Sequence, residues 1–127
     1  MIKLLIVEDD PLMSRMYQRL FGLEGFDVEL ASDGQEGLEK ARTLMPKLIL
    51  LDVMMPKMNG LQTLEELKAN SMTKAIPVVM LSNLNGEQDS ETAMSKGAEN
   101  YIIKSAYEPA QIVAMVKDVI AKHENLK

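Results

Sequence analysis

Cysteine is absent from the 127 residues. That excludes disulfides, thiol catalysis and cysteine-ligated metal centres, while leaving the compartment open. Long hydrophobic runs are also missing: the longest, Ile2–Val7 and Ile76–Leu81, fall far short of the ~20 residues that span a bilayer. No cationic start leads into an apolar core and a small-residue cleavage site, so no secretory signal is visible. A cytoplasmic chain outside the membrane is the default expectation. Positive charge is in deficit, with 14 Lys and Arg against 19 Asp and Glu, a net charge of -5. That balance opposes unaided binding to nucleic acid or anionic lipid. There is one histidine, His123, which the sequence puts in a solvated C-terminal segment, too remote to serve as a catalytic base. Linkers, repeats and low-complexity segments are lacking too.

What is present suits one domain over residues 1–127: 46% hydrophobic and 26% charged residues, enough to bury roughly two-thirds of the unfolded surface. Apolar runs of strand length alternate with segments of helical period, the pattern of β/α units. Ile2–Val7 reads as a first strand, and Asp10 before Pro11 as a helix cap with proline in the first turn. Leu12, Met16, Leu20 and Leu23 are spaced as one helix face, closed by Gly25. Phe26–Leu30 alternates apolar and acidic residues, as an edge strand wetted on one face would. Leu38, Ala41, Leu44 and Met45 mark a second helix, Leu48–Leu51 a third strand, and Leu61, Leu64 and Leu67 a third helix. Val78–Leu81 is the fourth strand. The polar stretch from Glu87 to Lys96 predicts a loosely held fourth helix with little apolar face. Tyr101–Ile103 is the fifth strand. The last helix opens at Pro109 and carries Ile112, Met115, Val116, Val119 and Ile120 on one stripe, with residues from His123 expected to fray. Continuous apolar strands imply a parallel sheet covered on both faces.

In such sheets ligands sit beyond the carboxyl ends of the strands. Those ends read Glu8-Asp9-Asp10, Asp52, Ser82 and Lys104. If the first and third strands are neighbours, about 4.8 Å apart, Glu8, Asp9 and Asp52 crowd together. Like charges near 4 Å repel by roughly 1–4 kcal/mol. A hard divalent cation offsets this, and Mg²⁺ is favoured because it accepts few carboxylates and leaves room for phosphate oxygens. With Lys104 opposite, the set describes phosphoryl transfer: Asp52 as nucleophile, Mg²⁺ and Lys104 neutralising the group, Ser82 hydrogen-bonding it. Spacing alone leaves the alternatives open. Asp9 and Asp10 serve equally as helix caps, Asp52 as a turn residue, Lys104 as a surface charge and Tyr101 as packing.

Ile6-Val7-Glu8-Asp9-Asp10, the segment from Leu51-Asp52 through Met54-Met55-Pro56-Lys57-Met58-Asn59-Gly60, Leu81-Ser82 and Ile103-Lys104 together resemble the motifs of receiver domains from two-component response regulators. The likeness covers essentially the whole chain, in a single-domain form like the chemotaxis regulators. It implies a flavodoxin-like (βα)5 three-layer sandwich with strand order 2-1-3-4-5. It further implies Asp52 as acceptor of a phosphoryl group from a phosphohistidine of a sensor histidine kinase or phosphotransfer protein. Asp9 matches a direct Mg²⁺ ligand, Glu8 an acid acting through water, and Met54 a backbone-carbonyl ligand. Ser82 matches the hydroxyl that meets the phosphoryl oxygen, Lys104 the salt-bridging lysine, and Tyr101 the aromatic whose rotamer follows the hydroxyl. The implied output surface is the fourth helix, fifth strand and fifth helix, offered to a downstream protein and compatible with a phosphorylation-linked homodimer. The expected role is a signalling module that catalyses only its own phosphoryl acceptance and loss.

Two departures stand out. Ser105 follows Lys104 where the family usually has proline, often with a cis bond, which costs ~3 kcal/mol before other residues. Asn83 and Leu84 follow Ser82 where a small residue is usual. Competing functions fit less well. An aspartate-nucleophile phosphatase needs a D-x-D pattern after the first strand, and a flavin site needs a hydroxyl- and glycine-rich loop where three acids stand here. A receiver-like scaffold that is never phosphorylated would not need the full acid, hydroxyl and lysine set.

Overall fold

A computed structural model describes residues 2–55, 58–82 and 87–125. Among them five strands alternate with five helices: β1 (Ile2–Val7), α1 (Pro11–Leu23), β2 (Phe26–Ala31), α2 (Gly34–Leu44), β3 (Leu48–Asp52), α3 (Gly60–Ala69), β4 (Val78–Ser82), α4 (Glu87–Ser95), β5 (Asn100–Ile103) and α5 (Pro109–Asn125). All strand pairs are parallel, in the order β2-β1-β3-β4-β5, which bears out the flavodoxin-like reading and puts β2 at an edge. Successive strand residues point to opposite faces, so a sheet covered on both sides needs unbroken apolar strands. Leu4, Ile6, Leu48, Leu50, Val79 and Leu81 join one core with Tyr17, Phe21, Ile112 and Val116. Their neighbours Leu5, Val7, Ile49, Leu51, Val78 and Met80 join another with Ala41, Leu64 and Leu67. Helices α1 and α5 therefore cover one face, and α2 and α3 the other.

The packed face of α1 is not the expected one. Leu12 and Leu23 are each 77% exposed and Met16 39%. The helix instead buries Ser14, Tyr17 and Phe21, with Met13 and Leu20 partly covered. The two aromatics decide this, because each removes far more surface from water than a leucine. Phe21 also meets Phe26 edge to face, with centroids 5.5 Å apart. Leu12, Met16 and Leu23 are left lining a groove of about 530 Å³ with Arg15, Arg19 and Pro109.

Two smaller expectations also change. Met45 is half-exposed and lies beyond α2 in the left-handed region, at φ 47, because the residue before Pro46 is barred from continuing the helix. His123 remains helical and its Nε2 lies 2.9 Å from Glu99 Oε1, so the histidine is paired and partly covered instead of freely solvated. Residues 126 and 127 lie outside the described residues. As expected, α4 is weakly anchored: Ala93 is the one buried side chain among those described in this helix.

Candidate functional site

Register brings the polar residues to one edge. Val7 pairs with Leu51, Asp52 with Leu81, and Ser82 with Ile103, so Glu8, Asp52, Ser82 and Lys104 end or follow four adjacent strands. Glu8 is fixed from several sides. Its backbone N–H donates to the Ala31 carbonyl at 3.0 Å, and its carbonyl accepts from the buried Ser14 hydroxyl at 3.1 Å. One carboxylate oxygen accepts from the Asp10 N–H at 3.2 Å. Asp10 itself caps α1, accepting from the Leu12 N–H at 2.9 Å, and Pro11 has no N–H to satisfy. Asp10 is thus the cap of α1, as expected.

Carboxylate oxygens of Glu8, Asp9 and Asp52 lie within 4.8 Å of one another. Lys104 Nζ sits 2.7 Å from Glu8 Oε1 and 3.4 Å from Asp52 Oδ2. The other Asp52 oxygen accepts from the Met54 N–H at 3.3 Å. Burial is the largest cause raising the Glu8 pKa, and Asp52 adds to it by hydrogen bond and charge, while Lys104 pulls the other way. Partial burial and the neighbouring Glu8 push the exposed Asp9 upward as well. For Lys104, burial opposes the charge, but Glu8 and Asp52 outweigh it and raise the pKa. Three hard oxygen donors at this spacing fit a Mg²⁺-type cation better than any soft metal.

Ser82 is fully buried as the last residue of β4. Tyr101 is half-buried, opposite Met80, and packs on the core that includes Ala93. Residues 104–106 form a 3₁₀ turn. No cis peptide bond occurs among the described residues, so the Lys104–Ser105 bond is trans. Pro56 and Lys57 of the loop motif, and Asn83 and Leu84 after β4, lie outside the described residues.

Two contributors escaped the sequence reading, and a third, Gly60, was read only as the end of the loop motif. Ser14 holds the Glu8 backbone. Tyr17, buried in α1, is close enough to Lys104, Glu8 and Asp52 to feel their charges, although burial is the main cause raising its phenol pKa. Gly60 lets α3 rest directly on the end of β3: its N–H donates to the Val53 carbonyl at 2.9 Å, and a Cβ there would lie 2.1 Å from the Asp52 carbonyl oxygen. A glycine opening a helix just after a capping asparagine was the available signal for Gly60. Nothing in the spacing of α1 marked Ser14.

Fold and site together define a doubly wound parallel α/β domain whose carboxyl edge gathers three acids and a lysine. Residues 4–117 match the family model described as "Response regulator receiver domain", and the chain belongs to that family. It is similar to the DNA-binding response regulator MtrA of Mycolicibacterium smegmatis, at 34% identity over 97% of this chain and 52% of that protein. It is also similar to the transcriptional regulatory protein CpxR homolog of Haemophilus influenzae, at 38% identity over 96% of this chain and 52% of that protein. The chain thus spans about half the length of these curated relatives. Among solved structures, a CheY-like response regulator receiver domain protein from Methanospirillum hungatei superposes with a TM-score of 0.91 at 27% identity, covering 100% of this chain and 99% of that one. The BeF3-activated N-terminal receiver domain of Klebsiella pneumoniae RstA gives 0.85 at 27% identity, covering 93% and 97%. The chain is a receiver domain of the two-component response regulators, a signalling module and not a classical enzyme.

Proposed function

We propose that Asp52 accepts a phosphoryl group from a phosphohistidine on a sensor kinase or phosphotransfer protein, and that the modified carboxylate resets the surface of α4, β5 and α5 for a downstream protein. An Asp52 oxygen attacks phosphorus, and a P–O bond forms as the P–N bond breaks. The imidazole leaves with the bonding electrons and takes up a proton. Lys104, already within 3.4 Å of Asp52 Oδ2, offers its ammonium to the transferred oxygens, and the Ser82 hydroxyl donates a hydrogen bond to them. Asp9, Asp52, the Met54 carbonyl and, through water, Glu8 would hold a Mg²⁺ ion, which would supply positive charge to the phosphoryl oxygens. Tyr101 follows Ser82 and passes the change to α4, whose described side chains include one buried anchor, Ala93, as suits an element with two arrangements close in energy. Water attacking phosphorus later returns the free carboxylate and inorganic phosphate, so the chain resets without processing any other substrate.

The observation that carries this assignment is the Lys104 ammonium reaching both Glu8 and Asp52 across the edge where three carboxylates meet. No described helix is long and apolar enough to cross a membrane, and the cytoplasm is the natural setting for exchange with a kinase. The direct test is incubation with Mg²⁺ and a small acyl phosphate, followed by intact-mass measurement. Wild type should gain one base-labile phosphoryl group and Asp52→Asn none. Equal gain by both proteins, or none by wild type, removes Asp52 from the role.

A further inference from the structure

We propose that Glu36 and Lys40 of α2 stand in for a neighbouring strand along the free edge of β2, and so close that edge to a second copy of this chain. Among the described strands β2 is outermost, with β1 on one side only. The N–H and C=O groups of successive strand residues point to alternate sides. The Ala31 carbonyl accepts from the Glu8 N–H at 3.0 Å and so faces β1, which turns the Leu30 carbonyl and the Ser32 N–H outward. Those two groups, two residues apart, are the pair that one residue of an added strand would bind, donating to the first and accepting from the second. Side chains of α2 already fill both roles. Lys40 Nζ donates to the Leu30 carbonyl at 2.5 Å, and Glu36 Oε1 accepts from the Ser32 N–H at 2.6 Å. The other Glu36 oxygen lies 3.9 Å from Lys40 Nζ, so the pair offers donor and acceptor side by side, as a strand residue does. Helix capping accounts for a glutamate that reaches back over the start of α2, but not for a lysine that reaches ten positions back to a strand carbonyl. The edge needs closing, because Phe26, Val28 and Leu30 make β2 an apolar strand and an open edge is a template for another chain. An incoming strand has to displace two charge-assisted hydrogen bonds first. Asp27, 3.5 Å from Lys3, and Glu29 add like charges that a two-fold pairing of β2 with itself would bring close.

Sedimentation velocity on the unphosphorylated full chain, over a concentration series, tests this with wild type, Lys40→Met, Lys40→Arg and a double variant that adds Val28→Pro to Lys40→Met. The Val28 N–H points outward as that of Leu30 does, so proline there blocks an added strand without taking a hydrogen bond from β1. Wild type and Lys40→Arg, which keeps the donor, should sediment as monomers throughout. Lys40→Met should self-associate, with a dissociation constant roughly tenfold or more below the bound set by wild type, the worth of one charge-assisted hydrogen bond. In the associated sample the amides of Val28 and Leu30 should exchange more slowly with solvent. The double variant should return to monomer. Lys40→Met that stays monomeric at every concentration overturns the proposal, as does association that survives Val28→Pro or leaves those two amides unprotected. A wild type that already pairs through Val28 and Leu30 overturns it from the other side. If circular dichroism shows Lys40→Met unfolded, Lys40→Ala takes its place under the same criteria.

Discussion

Glu8 and Lys104 form an ion pair of 2.7 Å across 96 residues of chain, and yet the Glu8 pKa is raised. Burial and the Asp52 carboxylate together outweigh the lysine. A carboxyl whose folded pKa lies above its ordinary 4.5 binds its proton more tightly in the folded than in the unfolded chain. Its contribution to stability is complete below the ordinary value and is lost as pH rises through the raised one. The Lys104 contribution, with a raised pKa, persists throughout this range and is lost only in strong alkali. In EDTA, the melting temperature of Glu8→Gln relative to wild type should therefore climb as pH rises above the ordinary 4.5. A flat or falling difference in thermal melts counts against this account. Mg²⁺ at the upper pH should raise wild type by mass action and raise Glu8→Gln less.

Asp9 and Asp10 are adjacent but separable. Asp10 accepts from the first turn of α1, so Asp10→Ala should cost about 1 kcal/mol in urea melts and leave the Mg²⁺ response intact. Asp9→Ala should leave the metal-free stability near wild type and abolish the Mg²⁺-dependent rise. The reverse pattern would exchange their roles.

The glycines of α1 and α3 predict opposite signs. A methyl at Gly60 would meet backbone, the Asp52 carbonyl oxygen at 2.1 Å and Val53 Cα at 2.7 Å. Gly60→Ala should cost roughly 1–3 kcal/mol, as overpacking does, and also weaken Mg²⁺ binding by shifting Asp52. Gly22 has nothing within 4 Å of its would-be Cβ and lies in a helix, so Gly22→Ala should stabilise by up to about 1 kcal/mol. Chemical denaturation with matched slopes measures both.

The rotated face of α1 is open to the same measurement. Phe21→Ala should cost about 3–5 kcal/mol. Leu12→Ser and Leu23→Ser, each at a position 77% exposed, should each stay within about 0.5 kcal/mol of wild type. A large loss at Leu12 would restore the face that leucine spacing suggests.

The edge position of β2 was legible in its alternating acids, and the gathering of Glu8, Asp9, Asp52 and Lys104 in the fact that strands buried on both faces leave polar residues only at their ends; the strand order came from the resemblance to receiver domains alone. The α1 face was not legible. Spacing treats Leu12, Met16 and Leu23 as equal in weight to Tyr17 and Phe21, whereas packing ranks them by the area each buries. Met45 was misplaced because its apolar side chain continued a helical stripe that the following Pro46 forbids to the backbone. The Glu99 partner of His123 lies 24 positions earlier in the sequence (123 − 99) and belongs to no periodic pattern.

The acids of the edge precede the lysine along the chain. During synthesis, Glu8, Asp9 and Asp52 emerge before Lys104, and until β5 joins the sheet the three carboxylates face one another without the protein's own cation. The final strand thus completes the hydrogen-bonded ladder and relieves the repulsion in one event. Intermediates that stop at four strands are disfavoured on both counts, which pushes closure of the sheet toward a single cooperative step.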